Sequence, residues 1–155
     1  QCAPDPDLAW WNDGGARQFN NNCYNYATNY RTDTFAQPGK AAGQQYTSLS
    51  GCAVAAGQRS ALDGAIADAL INTPLANNKC PQKGHLVALV IAPGFDFHWY
   101  RKGNNGRWSH KPGSTAARLT DNAGNIITDP RTANRGMYTQ FCTFMQVIHG
   151  HIKIK

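Results

Sequence analysis

Charged side chains and long apolar runs are both scarce in this sequence. Charged residues make up 15% of the 155 residues, well below the usual share of about one quarter. The longest apolar stretch, residues 86–92, has the length of a strand and falls far short of the roughly 20 residues that a membrane-spanning helix needs. We therefore expect no membrane span. Four Trp, six Tyr and six Phe in a chain that is 41% hydrophobic indicate a packed fold rather than disorder.

Closely spaced cysteine pairs are also absent. No C-x-x-C motif occurs, so neither a structural zinc site nor a thioredoxin-like centre is expected, and no metal or other cofactor is predicted. Wide dispersal of cysteines is typical of disulfides in secreted folds. The sequence starts with Gln rather than Met, which favours a mature N-terminus left by removal of a signal peptide. We predict a secreted, extracellular protein with two disulfides and one unpaired thiol, drawn from Cys2, Cys23, Cys52, Cys80 and Cys142.

The net charge is positive, at +6 with a pI near 9.2. Solubility alone explains such a charge, and an anionic partner such as a cell-wall polymer is the sharper alternative. The basic residues are scattered, with dense spots only at 101–102 and 153–155. Nucleic-acid binders concentrate their basic residues in an arm or on one face. No nucleic-acid partner is therefore expected.

The pattern of elements predicts one domain of class α+β over residues 1–155. We expect an irregular leading segment at 1–19, a helical half at 20–79 and an antiparallel sheet half at 80–155. A first helix is predicted over about 23–31 with Asn22 as its N-cap, and a second begins at Ser60 with Asp63 completing a capping box. The loop between the two helices, 32–51, is long enough to indicate a functional flap.

The sheet half is predicted from two adjacent strands. A continuous apolar run at 85–92 is typical of a central strand, and an alternating run at 96–102 follows it. Turn residues at 103–106 indicate a hairpin, which returns over 107–111. A weaker strand candidate covers 124–129, and residues 141–148 are expected to close the sheet.

Cys23 stands out among the cysteines because it lies at the predicted start of a helix. The positive end of a helix favours thiolate over thiol. A thiolate beside an imidazole is the machinery of cysteine hydrolases. The alternative use of Cys23 is as one more disulfide partner, but its position at a helix start favours it as the unpaired thiol.

Three histidines compete for the imidazole role. His85 lies at the mouth of the apolar strand, where it can project toward a helix packed on the sheet. His98 lies on the next strand and shares a face with Asp96. A two-residue turn at 104–105 would place His110 on the opposite face from His98, which favours His98. The identity of the third site residue stays open among His98, His110 and Asp96.

Two short strings resemble motifs of a known family. Cys23-Tyr24-Asn25-Tyr26-Ala27 and Gly84-His85-Leu86-Val87-Ala88 are similar to the C-x-W-Y-A and G-H-V-A motifs of the CHAP family, which are cysteine/histidine-dependent amidohydrolases and peptidases related to the NlpC-type enzymes. The resemblance implies a papain-like fold, with N-terminal helices packed on a C-terminal antiparallel sheet. It also implies Cys23 as nucleophile, His85 as base and acid, and His98 as the residue that orients the imidazole.

The resulting prediction is a secreted, monomeric cysteine peptidase or amidase. The resemblance implies peptide or amide bonds of bacterial peptidoglycan as its substrate. Core packing is the alternative role for the aromatic residues near the hairpin, but we include two of them among the candidate substrate-binding residues, which are Asn22, Tyr100, Trp108 and His110.

Two other functions remain open. One is a disulfide-stabilised binding or toxin module without catalysis, and the other is a protein deamidase. The disulfide pairing distinguishes them in part, because a bridged Cys23 would exclude catalysis by its thiol. With Cys23 unpaired, the other four cysteines allow three connectivities. We favour a Cys52–Cys80 bridge that closes the helical segment and a Cys2–Cys142 bridge that ties the chain ends.

Overall fold

The centre of the fold is the apolar strand β2, His85–Ala92, all of whose residues are buried. The computed structural model describes residues 2–3 and 8–155 of the chain. β2 lies between β3 (Asp96–Lys102) and β5 (Gln140–Val147), and the sheet is completed by β4 (Trp108–Ser109) beside β3 and β1 (Ile71–Asn72) beside β5. All neighbours are antiparallel.

Short helices accompany this five-stranded sheet. They are α1 (Leu8–Trp11), α2 (Ala16–Phe19), α3 (Cys23–Thr28) and α4 (Ala61–Ala67). The predicted α+β class is confirmed, whereas the papain-like character stays a prediction. None of the helices in the described residues has both the length and the apolar character to cross a membrane.

The two faces of the sheet are covered differently. Odd-numbered β2 residues such as Val87 and Leu89 pack against α3 and α4, while even-numbered ones such as Leu86 and Val90 pack against Trp108 and its neighbours. The predicted strand at 124–129 does not form. Only isolated bridges occur there, and Ile127 uses one of them to pair with Trp108 and cover the second face.

Local capping explains where α3 and α4 begin. The Asn22 side chain accepts hydrogen bonds from the N–H groups of Tyr24 and Asn25, and the Asn25 side-chain oxygen in turn accepts the backbone N–H of Asn22. Ser60 and Asp63 form the same reciprocal pattern at α4, so both predicted caps are confirmed. α3 ends earlier than predicted because Asn29 adopts a left-handed conformation, with φ 62°, that stops the helix.

The β3–β4 hairpin differs from its predicted register by one residue. Arg101 pairs with Ser109, and the Gly103 N–H donates to the Arg107 carbonyl at 2.9 Å, so the turn contains three residues instead of two. A one-residue shift moves every side chain of a strand to the other face. The prediction that His98 and His110 lie on opposite faces is therefore wrong.

The disulfides join Cys2 to Cys80 and Cys52 to Cys142. Cys23 is the free cysteine among the described residues, which confirms its assignment as the unpaired thiol. The expected bridges, Cys52–Cys80 and Cys2–Cys142, are wrong. The reason is that the loop carrying Cys52 lies along β5, where the Cys52 N–H donates to the Gln140 side chain at 2.9 Å.

Candidate functional site

A cavity of about 240 Å³ opens beside the free cysteine. Cys23 begins α3, which packs on β3, and the thiol is close enough to that strand to accept the backbone N–H of Trp99. The other polar side chains of the lining come from four separate segments, and they include Asn22, Gln37, Tyr46, Asp96, His98 and Tyr138.

Burial determines the protonation of the Cys23 thiol. Cys23 is 5% exposed, and its burial together with the negative charge of Asp96 raises the thiol pKa to about 12. Desolvation disfavours the charged form, and here it outweighs any effect of the six-residue helix. The expected thiolate is therefore corrected to a neutral thiol, which needs a base before it can react as a nucleophile.

Such a base lies in the same cavity. His98 projects from β3 and is 3% exposed. Its Nε2 atom lies 2.8 Å from Nδ1 of His110, and Nε2 of His110 lies 2.8 Å from the carbonyl oxygen of Thr120. Burial holds the pKa of His98 well below its usual range and lowers that of His110 to about 4. Both rings are therefore neutral near pH 7.

The hydrogen-bond chain fixes the tautomer of each ring. A carbonyl oxygen only accepts, so Nε2 of His110 carries the hydrogen that points at Thr120. Nδ1 of neutral His110 then has a lone pair and accepts the hydrogen on Nε2 of His98. This leaves Nδ1 of His98 with a free lone pair, able to accept a hydrogen bond or a proton.

Asp96 closes another part of the cavity. Its carboxylate accepts the Phe97 N–H at 2.8 Å and the Tyr138 hydroxyl at 2.9 Å. The nearby Tyr46 hydroxyl donates to the Gln37 side chain at 2.6 Å. Gln37 and Tyr46 both belong to the long loop predicted as a flap, so that loop supplies part of the cavity wall.

His85 does not line this cavity. It lies against the C-terminal part of α3, where Nε2 donates to the carbonyl of Ala27 at 2.7 Å. Burial lowers the pKa of His85 to about 4. The structure thus brings together Cys23, His98 and the rival His110, and it places His85 in a separate hydrogen bond that fixes α3 on the sheet.

The aromatic candidates for substrate binding are core residues. Tyr100 is 1% exposed and stacks on the ring of His110, with centroids 4.7 Å apart. Trp108 is fully buried, and its indole N–H donates to the Asn78 side chain at 2.9 Å. Asn22 lines the cavity, although its side chain is occupied by the cap of α3 and by the Ala36 carbonyl.

Sequence patterns missed two residues that shape the site. Lys111 is fully buried, and its ammonium donates to the carbonyls of Gln18, Asn21 and Gly113. This ties the segment before Cys23 to the turn at Gly113, which lines the cavity. Tyr138 lies in a loop 42 residues from Asp96 and donates a hydrogen bond to its carboxylate. No local sequence pattern predicts that contact.

Among the residues that the structure describes, no group of three His, Cys, Asp or Glu side chains could hold a metal ion. The Asp121 carboxylate accepts the backbone N–H groups of Ala123, Asn125 and Asn134, and these hydrogen bonds stabilise the turn at 121–125.

Comparison with known proteins overturns the enzyme family suggested by the short motifs. No family model matches the chain, and no solved structure matches it. The chain is 48% identical over 131 residues to insoluble matrix shell protein 1 of Ruditapes philippinarum, a match that covers 84% of this chain and 81% of the relative. The CHAP/NlpC resemblance, which covers about ten residues, is therefore wrong as a family assignment.

The predicted function changes with the family. A relative of this identity is a shell matrix protein, so the cysteine peptidase or amidase, its peptidoglycan substrate and the bacterial setting are corrected. The alternative of a disulfide-stabilised binding module agrees better with this relative. Because the match spans most of both chains, this chain belongs to the family of insoluble matrix shell protein 1.

Proposed function

We propose that this chain is a secreted, disulfide-stabilised module of a shell matrix that binds a polyanionic matrix polymer through its basic surface. The observation that carries the proposal is the 48% identity to an insoluble matrix shell protein over 131 residues. Two disulfides agree with an extracellular setting. The net charge of +6 favours an anionic rather than a cationic partner.

The carboxylates that the structure describes are engaged in internal interactions, which disfavours them as calcium ligands. The sequence contains nine Asp and no Glu. Each Asp that the structure describes has its carboxylate in an internal hydrogen bond or ion pair, and these residues are Asp13, Asp33, Asp63, Asp68, Asp96, Asp121 and Asp129. An acidic calcium-binding surface is thus absent from this part of the chain, which favours binding through cations.

Lys40, Lys153 and Lys155 form what we call the basic cluster. They lie on two segments, residues 37–40 and 153–155, which are joined by hydrogen bonds to each other and to Asp68. The Asp68 carboxylate accepts the N–H of Gly39 at 2.8 Å, and its carbonyl accepts the N–H of Lys153 at 3.2 Å. The N–H of Gln37 donates to the carbonyl of Lys155 at 3.0 Å. All three lysines are exposed, and none forms an ion pair with a described residue.

Binding to immobilised polyaspartate at low and high ionic strength tests the proposal. We expect salt-sensitive binding, because exposed charges are screened by salt. Each lysine near an anionic surface contributes about 1 kcal/mol, so the triple variant K40Q/K153Q/K155Q should bind on the order of 100-fold more weakly.

A matched control has the same loss of charge at scattered exposed positions, K79Q/K83Q/R107Q. We expect it to weaken binding much less than the change in the basic cluster. Equal losses in the two triple variants would show that the cluster is not the site. Salt-insensitive binding, or equal binding to an uncharged polysaccharide, would contradict the polyanion proposal itself.

A further inference from the structure

The cavity beside Cys23 holds a nucleophile and a base that matrix binding does not use. We propose that it is an acyl-transfer site, in which Cys23 accepts an acyl group from a primary carboxamide side chain and passes it to a primary amine. The product is a covalent amide cross-link between two chains. The choice of an amine rather than water as acceptor rests on the proposed matrix function, where joining chains serves the assembly.

The proton path begins at Nδ1 of His98. His98 is 97% buried, lines the same cavity as Cys23 and presents Nδ1 with a free lone pair. Its other nitrogen is held by His110, which is held in turn by the Thr120 carbonyl. Nδ1 is therefore fixed as a proton acceptor, and His110 acts as the positioning residue that keeps it so.

The two steps balance without an outside oxidant or reductant. In the first, the Cys23 sulfur bonds to the carboxamide carbon, His98 Nδ1 takes the thiol proton and returns it to the leaving nitrogen, and ammonia departs. In the second, the amine nitrogen bonds to the thioester carbon and the C–S bond breaks. His98 accepts a proton from the amine and gives it back to the sulfur, which restores the neutral thiol.

The lining favours an amine as the second substrate. Asp96 is the one carboxylate among the cavity-lining residues that the structure describes, and no Lys or Arg accompanies it there. A carboxylate at the cavity attracts an ammonium group. Phe35, Tyr46 and Phe97 line the cavity as well, and their apolar surface disfavours water beside the thioester.

Incorporation of dansylcadaverine into dimethylated casein tests the proposal in free solution. Casein supplies glutamine side chains, its own amines are blocked, and the fluorescent amine reports transfer. We expect incorporation with matching ammonia release, and a loss of at least about 100-fold in Cys23→Ser and His98→Phe, since removal of a nucleophile or base has effects of this size. The exposed His149 gives the matched control, His149→Phe, which should keep wild-type activity.

The role of His110 has its own readout. In His110→Asn the amide oxygen can replace Nδ1 of His110 as the acceptor for Nε2 of His98, so this variant should retain part of the activity. His110→Leu has no such acceptor and should lose the activity while its near-ultraviolet circular dichroism stays native. Ammonia release without incorporation would overturn transfer to an amine. Equal incorporation by Cys23→Ser, or none by folded wild-type protein, would overturn the site. This assay measures covalent transfer and not adsorption to immobilised polyaspartate, so its failure leaves the matrix-binding test unaffected.

Discussion

Nε2 of His98 donates a hydrogen bond to Nδ1 of His110 across 2.8 Å. The donor and acceptor roles follow from the Thr120 carbonyl at the far end of the chain of bonds. Protonating either ring would bury a positive charge, and protonating His110 at Nδ1 would also place two hydrogens between the same nitrogen atoms. Both rings are consequently held neutral, and the pair couples the fold to pH.

Stability should fall as the pH falls below the ordinary histidine pKa of about 6.5. Burial holds the pKa of His98 well below that value and lowers those of His85 and His110 to about 4. A depressed pKa gives stability that is fully present above the unfolded pKa and is lost as pH falls through the folded one. From His85 alone we expect a loss on the order of 2 kcal/mol between about pH 7.5 and about pH 5.

Urea unfolding across that range measures the effect. The control is His85→Gln, whose amide can still donate to the Ala27 carbonyl but does not titrate. The free energy of unfolding of this variant should depend less steeply on pH, because unfolding then takes up about one proton fewer. A free energy of unfolding that is flat from about pH 7.5 to about pH 5 would contradict the neutral burial of these rings.

Replacing Lys111 by Met should destabilise the fold by about 2–4 kcal/mol, because three carbonyls lose their donor inside the protein. These are the carbonyls of Gln18, Asn21 and Gly113. Hydrogen exchange should also speed up at residues 18–22 before it does so in β2. The exposed Lys83→Met should change the unfolding free energy by less than about 0.5 kcal/mol. Similar values for both variants would mean that the buried ammonium contributes little.

Replacing Gly64 by Ala should destabilise α4, although Ala is favoured over Gly in a helix by about 1 kcal/mol. A Cβ atom at Gly64 would lie 2.4 Å from the carbonyl oxygen of Pro38. The backbone at 38–39 would have to move, and overpacking of this kind costs about 1–3 kcal/mol. Thermal unfolding shows whether Gly64→Ala lowers or raises the stability of the protein. A more stable Gly64→Ala would show that the two segments can separate freely, and the exposed Ile66→Ala serves as the control in the same helix.

Peptide mapping without reduction should recover two cross-linked pairs, Cys2–Cys80 and Cys52–Cys142, and one alkylated peptide containing Cys23. Native protein should react slowly with iodoacetamide, and unfolding in urea should expose one thiol per chain. A peptide linking Cys23 to any other cysteine would contradict both the fold and the acyl-transfer site.

Local patterns in the sequence were enough for the elements that depend on local physics. The apolar run of β2 and the caps at Asn22 and Ser60 are defined by neighbours in the chain, and they were predicted with the right residues. The free thiol was assigned correctly to Cys23 by its helix start.

Features set by distant contacts could not be predicted in this way. The three-residue turn that brings His110 beside His98 depends on the pairing of Gly103 with Arg107, which the turn composition did not determine. The charge state expected of Cys23 was wrong because burial, a property of the whole fold, outweighs the helix end. The short CHAP-like strings likewise contained too few residues to indicate the family.

The two bridges interleave along the chain, since Cys52 lies between Cys2 and Cys80, and Cys80 lies between Cys52 and Cys142. Suppose that the backbone is cut once in each of the three intervals between these four cysteines. The piece with Cys2 would stay joined to the piece with Cys80, and the piece with Cys52 would stay joined to the piece with Cys142. A nested arrangement would instead release the middle of the chain after a cut in each outer interval. Between residues 2 and 142, the interleaved order therefore lets a protein exposed to proteases keep its central segment attached after a nick in each outer interval.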